Sequence, residues 1–388
     1  MTSSSSSVIR RILYIQFTNP GAYPALEHSA RLLADRGWEA RFIGTGASGS
    51  RILDFEEHPR ISIRRLRFTE PGLKQKVTYL RFTTLIMWAV LRWKPMVIYV
   101  SDPLATPAAR LASLMGAKTV VYHEHDAPLG RNASFFGSLV RRARRSVASK
   151  ASICIAPNEQ RLAILRRDVP HIRRELALMN YPMKTEIGIP RDSLRRGLRL
   201  VYAGSVVPHR LPITVLEAIA KAGRNISLTI AGYETVGHPG YVSRLRQVAK
   251  DLGIGDRVRY AGPIPLRKDL LGLIATADVG LALMHRMEDD INLQTMVGAS
   301  NKPFDYLAAG LAVLVTDDPE WEAMFCEPGY GRSCKPGDPA SIAEVLQLFA
   351  KHPSDTRKMG EAGRRRLLAE WNYETRIEPL QELLENAP

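Results

Sequence analysis

Cysteine is scarce in this 388-residue chain: only Cys154, Cys326 and Cys334 occur, with no C-x-x-C spacing. That excludes a disulfide framework and predicts reduced, buried thiols in a cytosolic protein. Long apolar runs are missing too. None reaches the ~18 residues that span a bilayer, and the nearest, 83–91, is bracketed by Arg81, Arg92 and Lys94. The N-terminal MTSSSSSVIRR has no apolar core before a cleavage site, so it reads as a polar tail. There is no GxxxxGK[ST], G-x-S-x-G, H-E-x-x-H or EF-hand loop. Acidic residues are few in one half only. Residues 1–190 hold 14 Asp+Glu against 29 Lys+Arg, whereas residues 191–388 hold 25 of each, so the net charge of +15 sits entirely in the first half. Such asymmetry points to an anionic partner: lipid, nucleic acid or a phosphorylated substrate.

With 45% hydrophobic and 24% charged residues, the chain is globular and long enough for two domains. Short apolar runs at 12–17, 39–43, 61–68, 96–100, 119–122 and 152–156 predict strands in the first half. Runs at 198–203, 226–231, 257–261, 279–284 and 312–316 predict strands in the second. Helix-like stretches lie between most of them, so the pattern is βαβ and occurs twice. The predicted class is α/β: two Rossmann-like, doubly wound parallel-sheet domains facing a cleft, with the boundary near 181–196. Ligands of such sheets bind beyond the carboxyl ends of the strands, which makes the strand ends the informative positions.

Beyond the first strand lies a loop with Gly21, leading into a helix. The G-x-G-x-x-G at 44–49 follows the second strand, not the first, and reads as a flexible loop. His123-Glu124-His125-Asp126 ends the strand at 119–122 and offers a base or an orienting group. Gly204 and Ser205 open a loop that closes on Arg210, a cation placed to hold phosphate oxygens. Ser300-Asn301-Lys302-Pro303-Phe304-Asp305 reads as a capped helix start with Lys302 adding charge to the dipole. The acidic run 288–290 reads as solvated.

Taken together, NKPFDYLAAGLAVLVTD at 301–317, YAGSVVPHR at 202–210, LTIAGYE at 228–234, RYAGPIP at 259–265 and TVVYHEHD at 119–126 resemble the GT-B glycosyltransferases, and among them the retaining family 4. The resemblance runs over nearly the whole chain. It implies that Asp305 stands where the family has a ribose-binding Glu, one methylene longer. It implies that Arg210 and Lys302 face the donor diphosphate, with Gly21, Gly204, Gly232, Ser300 and Asn301 around them, and that Pro263 and Ile264 contact the base. Ser205 replaces a frequent Arg. Val297 replaces a second carboxylate, leaving 288–290 as a substitute contact to the donor sugar. His125 matches a histidine near the reacting sugar.

The expected activity is therefore metal-independent, retaining transfer of a hexosyl unit from a nucleotide sugar, with no cofactor and with His125, Arg210 and Lys302 as catalytic groups. The expected acceptor is a glycan or a lipid-diphosphate-linked glycan for cell-surface polysaccharide or glycolipid synthesis. It is expected on the basic N-terminal domain (1–185), with 186–372 as the donor domain and 373–388 as a helix crossing back. Residues 79–94, with Arg81, Trp88 and Arg92, and the run Arg141, Arg142, Arg144 and Arg145 suit an anionic membrane surface. That places the protein peripherally on the inner face of the membrane. Nucleic-acid binding is not expected, because the basic stretches lack interleaved aromatics. The alternatives are an inactive GT-B scaffold or partner subunit and a nucleotide-sugar epimerase of the same fold.

Overall fold

The computed structural model describes residues 9–116, 119–128, 134–188, 197–284 and 290–386. Most of the serine tail, the polar boundary stretch 191–196, Glu288 and Asp289 lie outside the described residues. The chain divides into two units: 1–47 with 56–179 and 377–388, and 48–55 with 180–376. These boundaries compare with the 185/186 and 372/373 expected from sequence. The segment 48–55 joins the second unit because Gly49 lies against Tyr233 and the Asp54 N–H donates to the Pro265 carbonyl.

Unit 1 holds seven parallel strands: β1 (Arg11–Ile15), β2 (Glu39–Thr45), β3 (Ile61–Leu66), β4 (Val97–Ser101), β5 (Thr119–His123), β6 (Ile153–Ala156) and β7 (Glu175–Ala177), ordered 3-2-1-4-5-6-7. Unit 2 holds six, β8 (Leu198–Ser205), β9 (Ile226–Tyr233), β10 (Val258–Gly262), β11 (Val279–Ala282), β12 (Ala312–Thr316) and β13 (Gly331–Cys334), ordered 10-9-8-11-12-13. Both sheets are the doubly wound parallel class expected. The strand order reverses between β1 and β4 in one sheet and between β8 and β11 in the other, the two places where such sheets open a binding crevice. The edge strands β7 and β13 were not foreseen. Each has one neighbour, and neither carries a continuous apolar run. Cys154 and Cys334 are buried as expected, but Cys326 is only half-buried.

At the second reversal, β8 and β11 pair only through Leu200–Val201 and Val279–Gly280 and then part. Tyr306 fills the gap. Its hydroxyl accepts from the Ala203 N–H (3.0 Å) and donates to the Leu281 carbonyl (3.1 Å). Its ring rests on Gly280, where any Cβ would overlap it. This contact seats the helix Asn301–Ala308 on the sheet. Tyr306→Phe leaves two buried backbone groups unbridged, and urea denaturation is expected to show a loss of about 2 kcal/mol. An unchanged midpoint would show that the hydroxyl is not what holds the helix.

Candidate functional site

Two groups of polar side chains stand at carboxyl strand ends, one in each unit. In unit 2 the loop after β8 brings Ser205 and Arg210 together, with Arg210 Nη1 donating to Ser205 Oγ at 2.8 Å. Gly204, at φ 129°, lies against the Lys302 side chain; a Cβ there would sit 3.0 Å from Lys302 Cε. Gly232 opposes Gly204 in register and leaves room for its carbonyl. Lys302 is buried on the first turn of Asn301–Ala308, with its ammonium 5.7 Å from the Tyr202 ring centroid. Among the described residues nothing hydrogen-bonds or ion-pairs to that ammonium. Burial first, then Arg210, pushes Lys302 down to about 7, with Asp305 opposing. His209 is pushed down to about 4, chiefly by burial and then by Arg210. Among the described residues, buried Ser300 Oγ and Arg210 Nε also have no partner. The result is a partly dehydrated pocket of positive charge at a helix N-terminus, an anion-binding arrangement.

One turn further along, Asp305 is already engaged by a neighbouring cation. Arg267 holds both its oxygens, at 2.6 and 3.2 Å, and also grips Glu186 at 2.5 and 3.1 Å. Arg267 is the first residue of the helix Arg267–Ile274, directly after the Pro263–Ile264 loop. Neither Arg267 nor Glu186 was singled out in the sequence. The only hint was an arginine beside a turn rich in proline.

In unit 1, strand alternation splits the HEHD cluster. Glu124 turns toward the helix Phe135–Lys150, where Arg144 donates to both its oxygens (2.5 and 2.8 Å) and Tyr122 adds a third bond. Arg144 is 2% exposed and also bonds Asp168. It was expected on a membrane-facing surface, and that expectation is corrected: its charge is spent inside, because no buried carboxylate stays ionised without such a partner. Arg142 and Arg145 are exposed, and Arg141 is half-buried.

His123 and His125 turn the other way. Their ring centroids lie 3.8 Å apart with the planes tilted by 35°, the Tyr99 hydroxyl bonds His123 Nδ1 at 2.7 Å, and the Tyr23 ring lies 5.0 Å from His125. Burial pushes His125 down to about 4 and His123 down as well, so both are neutral near pH 7. A neutral imidazole can orient a hydroxyl but supplies no positive charge. Asp102, missed in the sequence, follows β4 in a left-handed conformation (φ 94°) that costs a non-glycine residue about 1–3 kcal/mol. Burial pushes its carboxyl up to about 7. Gly21 sits in the short turn Pro20–Ala22, its N–H donating to Asn19 Oδ1.

Three consecutive helices of unit 1, Leu73–Trp93, Thr106–Ser113 and Phe135–Lys150, contain no acidic residue. The first is apolar on two sides. Phe82, Ile86 and Ala89 are buried on the sheet, while Leu73, Val77, Leu80, Trp88 and Leu91, at steps of four, three, eight and three residues, are 51–79% exposed. Phe135 (88%) and Leu114 (73%) add to the exposed apolar surface, and Tyr79 joins the helices by a ring contact to Phe136 and a hydrogen bond to the Leu104 carbonyl. Arg81 and Arg92 are exposed beside them. No described helix is long and apolar enough to cross a bilayer.

Comparison with known proteins agrees with this geometry. Residues 21–179 match the glycosyl transferase 4-like domain, and residues 213–382 match the glycosyl transferase-like family. The D-inositol 3-phosphate glycosyltransferase of Streptomyces coelicolor is 25% identical over 189 residues, which are 47% of this chain and 38% of that protein. A glycosyltransferase from Rickettsia africae superposes with a TM-score of 0.71 at 12% identity, covering 98% of this chain and 99% of that one. The Anabaena HepE protein in complex with UDP-glucose gives 0.69 at 16% identity over 97% and 99%. The chain is a GT-B glycosyltransferase, similar to family 4 of that class.

Proposed function

We propose that unit 2 holds a nucleotide-sugar donor, that unit 1 holds a glycan or lipid-linked acceptor, and that a hexosyl unit passes between them with retention. The observation that carries this reading is buried Lys302 beside half-buried Arg210, with no hydrogen bond or ion pair to the Lys302 ammonium among the described residues. Charging a buried lysine beside an arginine is costly unless a ligand supplies negative charge, and a diphosphate does so. In the reaction the bond from the anomeric carbon to the phosphate oxygen breaks. The acceptor oxygen bonds to that carbon on the same face, and its proton goes to the departing phosphate. Lys302, Arg210 and the helix N-terminus stabilise the charge left on the diphosphate, which makes the transfer independent of a metal ion. His125, being neutral, orients a sugar hydroxyl. The acid-free helices of unit 1 suit an anionic membrane surface presenting a lipid-linked acceptor, as a peripheral enzyme of surface-glycan synthesis on the inner face would need.

A thermal-shift panel of nucleoside diphosphates, with and without EDTA, tests the donor half. A ligand at 100 Kd is expected to add about 2.7 kcal/mol of stability, and the shift is expected to survive EDTA. No shift with any nucleotide would remove the donor reading. A shift without turnover would favour a binding scaffold, for which Val297, where a carboxylate is expected by resemblance, is the specific observation.

A further inference from the structure

We propose that Arg267 is a specificity-determining residue of the donor site: with Asp305 it reads the ribose hydroxyls, the guanidinium donating to one and the carboxylate accepting from the other. The proposal rests on the donor reading above and deepens it.

Asp305 lies three residues beyond Lys302 on one helix, so the two side chains share a face about 5–6 Å apart. A diphosphate held at Lys302 and Arg210 therefore puts the next part of a nucleotide, its sugar, beside Asp305. The chemistry there changes accordingly. One guanidinium between two carboxylates carries a net negative charge, which suits hydroxyl donors and repels a further phosphate. Four hydrogen bonds to Glu186 and Asp305 are present, and a guanidinium has five N–H donors. The remaining one belongs to Nη1, has no partner among the described residues, and gives the site a donor that a lone carboxylate lacks. The fork also fixes the short Asp305 side chain, so that a rigid Asp–Arg unit takes the place of one longer acid. Glu186 completes the clamp from the segment Lys184–Glu186.

Isothermal titration with a nucleoside diphosphate and its 2′-deoxy counterpart tests this on the full-length protein. The wild type is expected to prefer the ribose ligand by about tenfold or more. Arg267→Lys keeps the buried positive charge but not the fork. It is expected to reduce the preference to less than about threefold while pyrophosphate binding stays unchanged. Asp305→Glu in that background is expected to restore the preference. A wild type that binds both ligands equally overturns the proposal without any variant, and so does an Arg267→Lys protein, folded by circular dichroism, that keeps the full preference. In either case the Glu186–Arg267–Asp305 cluster is a structural clamp. A wild type that binds pyrophosphate but not nucleoside diphosphates also overturns it, while binding of neither removes the donor reading itself.

Discussion

Lys302→Met is expected to weaken nucleoside diphosphate binding by about 10- to 100-fold, the usual worth of a hydrogen bond to a charged group, and to remove much of its pH dependence. In the empty protein Lys302 releases its proton near pH 7, because burial and Arg210 disfavour the ammonium. An anion beside it reverses that balance. Above pH 7, then, binding must return a proton to the lysine, and affinity falls as pH rises. Between pH 6.5 and 8.5 the expected loss is roughly 25-fold. Below pH 7 the lysine is already charged and contributes no slope. Titration calorimetry in buffers of different ionisation enthalpy would register the proton taken up. A matching stability effect is expected without ligand, read by urea denaturation at several pH values. The unfolded lysine keeps its proton up to the ordinary value of 10.5 and the folded one only to about 7, so stability rises with pH across that window. A wild type whose affinity is flat from pH 6.5 to 8.5 would contradict this account of the site.

The second large effect concerns the acid-free helices. Vesicles containing anionic lipid are expected to retain the protein, and neutral vesicles far less, with retention falling as salt is raised. Phe135→Ser combined with Leu114→Ser is expected to reduce partitioning about tenfold or more, since each side chain offers about 1.5–3 kcal/mol when fully buried. Both are so exposed that the fold has no stake in them. Lys74→Glu and Arg81→Glu are each expected to cost about 1 kcal/mol or more. Salt-independent binding, or equal binding to neutral vesicles, would refute the electrostatic part. Arg144 is unsuitable for this test: removing it strands Glu124 in the interior and costs about 3–5 kcal/mol of stability.

The sheet strands were legible because a strand covered on both faces has to be apolar throughout. Runs such as 97–100 and 312–316 announce themselves for that reason. Strands β7 and β13 did not, since an edge needs no such run. At the site, glycines and cations showed in local patterns: Gly204 next to Ser205, and Lys302 at a helix start. Pairings made by the tertiary fold did not. Nothing near position 267 predicts that Arg267 closes on Asp305, and the alternation that sends Glu124 to Arg144 while His125 joins His123 requires the strand register. Exposure was equally hidden. The apolar residues at 82, 86 and 89 and those at 77, 80 and 88 read alike until the sheet is seen to cover only the first set.

The segment 48–55 has a consequence for biosynthesis. It leaves unit 1 and lodges against Tyr233 and Pro265, residues made roughly 200 positions later. At ~5–20 residues per second that is about 10–40 s during which the segment has no partner on the growing chain. Unit 1 in turn waits for 377–388 at the far end. Neither half is a contiguous stretch of polypeptide, and cutting the chain once, at residue 180, delivers neither in full. Residues made after all of unit 2 complete the first unit begun.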